Sequence, residues 1–156
     1  MESKNTSKEV IFSKWVRNNK PLIKKDFKID VVGIEVKIPK TTNYLSGASL
    51  LGNNCGIAFG SIDFIFNFRN KLYICECKYP TEKTNSHFWE SLKVLGYTSY
   101  CNWMSGSKKK YLPAIMLPEN KITIEYEIVC RELDIKIFRI IENKDDYIII
   151  EKNAHI

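Results

Sequence analysis

Hydrophobic and polar positions along the chain switch repeatedly between helical and strand periodicity. Val10, Ile11, Phe12, Trp15 and Val16 recur at helical spacing and predict a helix from Thr6 to Asn19 that ends before Pro21. Thr6 and Glu9 also have the spacing of a capping box, which gives Glu9 a purely structural reading. From Phe27 to Pro39, Ile29, Val31, Ile34, Val36 and Ile38 alternate with polar residues. The phase changes near Gly33, so a single strand with a bulge is expected there. Residues 40–60 are polar and glycine-rich and read as a long loop. Its S-G-A-S segment, Ser46 to Ser49, is small enough to approach a phosphate backbone, or is simply a surface loop.

Ser61 to Tyr79 predicts two strands joined by a tight polar turn. Asp63 interrupts Ile62, Phe64 and Phe66, and Glu76 and Lys78 interrupt a second apolar run. A helix should follow from a Ser86 cap to about Trp103, with Phe88, Leu92, Leu95, Ser99 and Trp103 as its stripe and Gly96 marking close packing on the sheet. Lys108, Lys109 and Lys110 close the turn after it, as a solvated turn or as phosphate contacts. Tyr111 to Leu117 reads as a buried strand stopped by Pro118. In residues 119–133, Ile122, Tyr126, Val129, Cys130 and Leu133 favour a helix over a strand, and a terminal hairpin follows. The predicted fold is α/β, a mixed central β-sheet flanked by helices, with a C-terminal helix and strands.

Composition narrows the class without deciding it. The 156 residues suit one domain, 1–156, with residues 1–5 as a flexible lead. Apolar residues at 44% and charged residues at 27% exclude a disordered chain. The net charge of +6 favours polyanionic partners, although a lysine-rich solvated surface produces the same balance. The N-terminus has no apolar signal region, and no window nears the roughly 18 apolar residues that span a bilayer. A cytoplasmic location away from membranes is therefore expected. Five cysteines without zinc-ribbon spacing point to reduced thiols, with Cys75 and Cys77 as small core residues.

The chemistry concentrates at Asp63, Glu76 and Lys78. Side chains alternate along a strand, so Glu76 and Lys78 share one face and Cys75 and Cys77 the other. Burying carboxylates in strand centres is costly unless they are paired, solvated or bound to a cation. The arrangement suits a metal and a phosphate. A second E-x-K, Glu35 to Lys37, reads instead as the polar face of an early strand.

The element order and the I-D-F and I-C-E-C-K segments resemble the PD-(D/E)xK nuclease superfamily, whose fold is the restriction-endonuclease-like αβββαβ core. Asp63, Glu76 and Lys78 stand at the motif positions, with Ile62 where a proline often precedes the first acid. The hairpin spacing is similar to that of archaeal Holliday junction resolvases. The resemblance implies a metal-dependent endonuclease that hydrolyses phosphodiester bonds in DNA, with magnesium or manganese as cofactor and a homodimer as a possible assembly. It implies Asp63, Glu76 and the Cys77 carbonyl as metal ligands and Lys78 as the residue that positions the attacking water. Glu9 matches the first-helix glutamate that many members add to the metal site. Lys93 and Tyr97 have the spacing of the Q-x-x-x-Y pattern of some relatives, with lysine in place of glutamine. Lys93, Ser46, Ser49 and Lys108 to Lys110 are the candidate nucleic-acid contacts. The alternative is a nucleic-acid-binding module that keeps the scaffold without cutting.

Overall fold

The structure, a computed structural model, describes residues 7–39, 58–80, 88–106 and 110–152. Its first element is α1 (Lys8–Asn18), capped by Ser7, whose Oγ accepts the Val10 N–H at 3.2 Å. The cap is therefore Ser7 and not the Thr6 of the capping-box reading, and Thr6 lies outside the described residues. Phe12 and Val16 are buried, whereas Val10 and Ile11 face solvent. A second helix, α2 (Lys20–Phe27), was not expected; Pro21 stands in its first turn, where a missing N–H costs nothing, and Ile23 is its buried anchor.

Next come β1 (Ile29–Pro39), β2 (Ala58–Phe68) and β3 (Lys71–Cys77), antiparallel in succession. The β1–β2 register shifts between Val31 and Gly33, as the phase change in the sequence predicts. Arg69 and Asn70 join β2 to β3, both at left-handed φ (51° and 63°), the conformation whose twist suits a two-residue hairpin. The helix α3 (Phe88–Met104) leads to β4 (Tyr111–Pro118), and a short 3-10 turn (Glu119–Lys121) to α4 (Ile124–Glu132). The hairpin β5 (Lys136–Asn143) and β6 (Asp146–Glu151) ends the described chain. The six strands lie in sequence order, with β3, β4 and β5 parallel and the outer pairs antiparallel. This is a mixed α/β sheet, and with α2 inserted the chain runs through the αβββαβ order.

Both faces of the sheet are covered, as parallel strands require. On one face α1 and α2 pack Phe12, Val16 and Ile23 against Phe64, Phe66, Cys75, Met116 and Phe138. Phe12 meets the rings of Trp15, Phe64, Tyr79 and Tyr147, and the Trp15 indole N–H donates to Asp146 at 3.1 Å. On the other face α3 and α4 pack Val94, Tyr97, Tyr126 and Cys130 against Ile62, Ile74, Ile115 and Leu117.

The buried stripe of α3 differs from the expected one. Val94, Tyr97 and Thr98 face the sheet, while Leu92 and Trp103 are about half exposed. Apolar residues stand on more than one side of this helix, so spacing alone does not select the inner face. Gly96 is exposed, and a Cβ there would meet nothing within 4 Å, so it does not mark close packing. The close approach is at Gly60 on β2, where a Cβ would fall 2.1 Å from the Tyr97 hydroxyl oxygen and 2.4 Å from its ring.

Candidate active site

Glu76 lies one alternation beyond Ile74 on β3, which turns it toward the α3 side, while Cys75 and Cys77 enter the α1-side core. Asp63 reaches the same place because the β1–β2 pair reverses phase at its level. Ile34 and Phe64 pack on the α1-side core, yet Val36 and Ile62, two residues away on each strand, pack on the α3 side. Between the pairs Ile34↔Phe64 and Val36↔Ile62 stand Glu35 and Asp63, and Glu35 has a left-handed φ of 52°. A non-glycine residue in that conformation is strained by about 1–3 kcal/mol, and such strain concentrates at functional sites.

The β2–β3 ladder stops at Phe64↔Cys75, and Asp63 takes over where it stops. Its Oδ2 accepts the Cys77 N–H at 2.8 Å. One residue's N–H and C=O leave an extended strand on the same edge, so the Cys77 carbonyl also points to the Asp63 side. The Lys78 N–H points the other way, to the Met116 carbonyl at 3.0 Å.

Glu76 is 2% exposed, shares a side-chain hydrogen bond with Asp63, and its Oε1 has no hydrogen-bond partner. Burial, then the neighbouring Asp63 charge, pushes the Glu76 carboxyl up to about 8, while Lys78 and Lys93 pull it down. Lys93 approaches from α3 with its Nζ 5.7 Å from the centre of the Tyr97 ring, a cation–π distance. Two carboxylates and the charges of two lysines therefore act on one spot at the end of β3.

Hard oxygen donors of this kind suit magnesium or manganese. The unpartnered, buried Glu76 oxygen also fits a cation, because an orphaned acceptor of this kind is otherwise costly. Among the described residues no three His, Cys, Asp or Glu side chains converge, so the oxygen donors at this spot are the two carboxylates of Asp63 and Glu76, with the Cys77 carbonyl on the same side. Magnesium is commonly held by one or two carboxylates, with water and substrate phosphate completing its shell.

Glu9 is not brought into that pair. Its Oε1 accepts the Tyr79 N–H at 3.0 Å, which ties the first turn of α1 to the chain just beyond Lys78. Glu35 of the second E-x-K is exposed and lies 3.8 Å from Arg17. Lys110 is level with the start of β3, since Tyr111 pairs with Leu72 and Ile115 with Glu76, so it stands at the far end of the sheet from the acids. Ser46, Ser49, Lys108 and Lys109 lie outside the described residues. Sequence reasoning missed the roles of Glu35 and Gly60. The Gly60 position had a signal, a glycine three residues before Asp63 on the same strand, whereas backbone strain at Glu35 leaves no trace in periodicity. The Cys75 and Cys77 thiols are buried in the α1-side core, where desolvation pushes both well up.

No protein-family model matches the sequence, and no curated protein matches it. Among solved structures, the chain is similar to the crystal structure of an XisH family protein from Nostoc punctiforme PCC 73102. The TM-score is 0.49 at 10% sequence identity, over 92% of this chain and 99% of that one. No helix among the described residues is long and apolar enough to cross a membrane.

Proposed function

We propose that the chain is a magnesium- or manganese-dependent nuclease that hydrolyses phosphodiester bonds in DNA as an endonuclease. The observation that carries this reading is the pairing of half-buried Asp63 with buried Glu76, with one Glu76 oxygen unpartnered and the Lys78 and Lys93 charges acting on it. Asp63, Glu76 and the Cys77 carbonyl would hold the cation. When bound, it supplies charge neutralisation at the phosphate and a more acidic water. Lys78 would orient an attacking water opposite the oxygen that leaves, and its charge would favour the hydroxide formed as that water gives its proton to solvent. Lys93, held over Tyr97, contacts the phosphate from the α3 side. Glu9 acts through Tyr79, fixing the backbone that follows Lys78, and is a positioning residue.

The hairpin spacing makes a four-way junction the first substrate to try, cut by a symmetric dimer with two sites. A panel of junction, linear duplex, single strand, flap and RNA, with and without magnesium, tests the reading. Cleavage should require the metal and fall by about a hundredfold to a thousandfold in Asp63→Asn and Lys78→Ala, as expected when a group central to transition-state stabilisation is lost. Wild-type rates in either purified variant would refute it. That only two carboxylates converge among the described residues favours one second reading, a DNA-binding module that does not cut. It predicts DNA binding without magnesium-dependent products on every substrate in the panel.

A further inference from the structure

At the end of the sheet away from the acids lies a cavity of about 600 Å³, within the range of small-molecule sites. Arg69, Lys71, Arg131, Lys136 and Lys152 line it, and so do Glu127, Asp134 and Glu151, which leaves a net charge of +2. These charges are not a solvated scatter. Glu151, only 12% exposed, binds Lys136 and lies 3.3 Å from Arg69, and Glu127 binds Lys152. Two of the three carboxylates thus fix the positions of three cations. Lys71 and Arg131 take part in no ion pair among the described residues and are exposed at the cavity. The floor is apolar, formed by buried Tyr73, Cys130, Ile135 and Ile137. The three paired cations are already matched by carboxylates, which leaves Lys71 and Arg131 as the charges open to an incoming anion.

We propose that this cavity binds an organic phosphate of nucleotide size, with its phosphates on Lys71 and Arg131 and its apolar part on the Tyr73 floor. It is separate from the Asp63–Glu76 pair. Lys71 and Glu76 stand five residues apart on β3, about 17 Å at strand rise.

Thermal unfolding of the full chain at fixed ionic strength without divalent cations tests this, with ADP, adenosine and inorganic phosphate as probes. ADP at about a hundredfold its Kd should raise Tm by about 5–10 °C for a chain of this size. Adenosine should give no shift and phosphate a smaller one. The Lys71→Ala/Arg131→Ala double variant should keep the ligand-free Tm, since neither side chain is buried or ion-paired, and lose most of the ADP shift. Asp63→Asn should retain the full ADP shift, which separates this site from the acid pair. An ADP shift unchanged in the double variant, an equal shift from phosphate and ADP, or no shift at millimolar ADP would each overturn the assignment.

Discussion

Glu76 is buried near the end of β3, where a glutamate lowers stability, and that conflict can be measured. Between the ordinary glutamate value of 4.5 and about 8 the folded protein keeps a proton that the unfolded chain has lost. Stability should therefore be fully present below pH 4.5, fall as pH rises through that window, and level off above about 8. The full loss is on the order of several kcal/mol. Glu76→Gln should flatten this slope and be more stable than wild type at pH 8.5 in chelator, read by chemical denaturation. A variant less stable than wild type there would mean that Glu76 contributes to the fold as an ionised partner. At this scale the sequence was informative about identity and face, because period-two alternation on β3 fixes which side Glu76 takes. It was silent on how Asp63 joins them. That depends on Glu35 holding a left-handed φ and on the ladder ending at Phe64↔Cys75, and neither leaves a pattern in residue types.

Among elements, β2, β3 and α3 form the site, and two glycines of opposite character test their packing. Gly96 is helical, exposed and free of neighbours, so Gly96→Ala should stabilise by about 1 kcal/mol in urea unfolding. Gly60 lies under the Tyr97 ring, and Gly60→Ala should destabilise by about 1–3 kcal/mol and move Lys93 with the helix. Equal effects at the two positions would contradict this account of α3. Strands and the hairpin were legible because their apolar runs are bounded by turn residues. The face of α3 was not, since apolar residues surround it and only tertiary contact selects Val94, Tyr97 and Thr98. α2 was missed because a short helix with one buried residue, Ile23, has almost no periodicity to read. Its Pro21 marked the end of α1 and also the start of α2.

Over the whole molecule the sheet has two chemically different ends. The carboxylate pair lies where β3 ends, and the basic cavity where β3, β4 and β5 begin. A net charge of +6 does not reveal this division, because a total says nothing about where charges gather. The fold class was readable from element order. The second anionic-ligand cavity was not, since Arg69, Arg131 and Lys152 are far apart in sequence and meet only through sheet topology. Nuclease chemistry at this site requires that the Asp63–Glu76 pair take a divalent cation. Calorimetric titration of magnesium into the purified protein at pH 8 measures this directly. We expect saturable binding in the wild type that is lost in Glu76→Gln and kept in Lys71→Ala. No binding up to millimolar magnesium, or equal binding by wild type and Glu76→Gln, would contradict it.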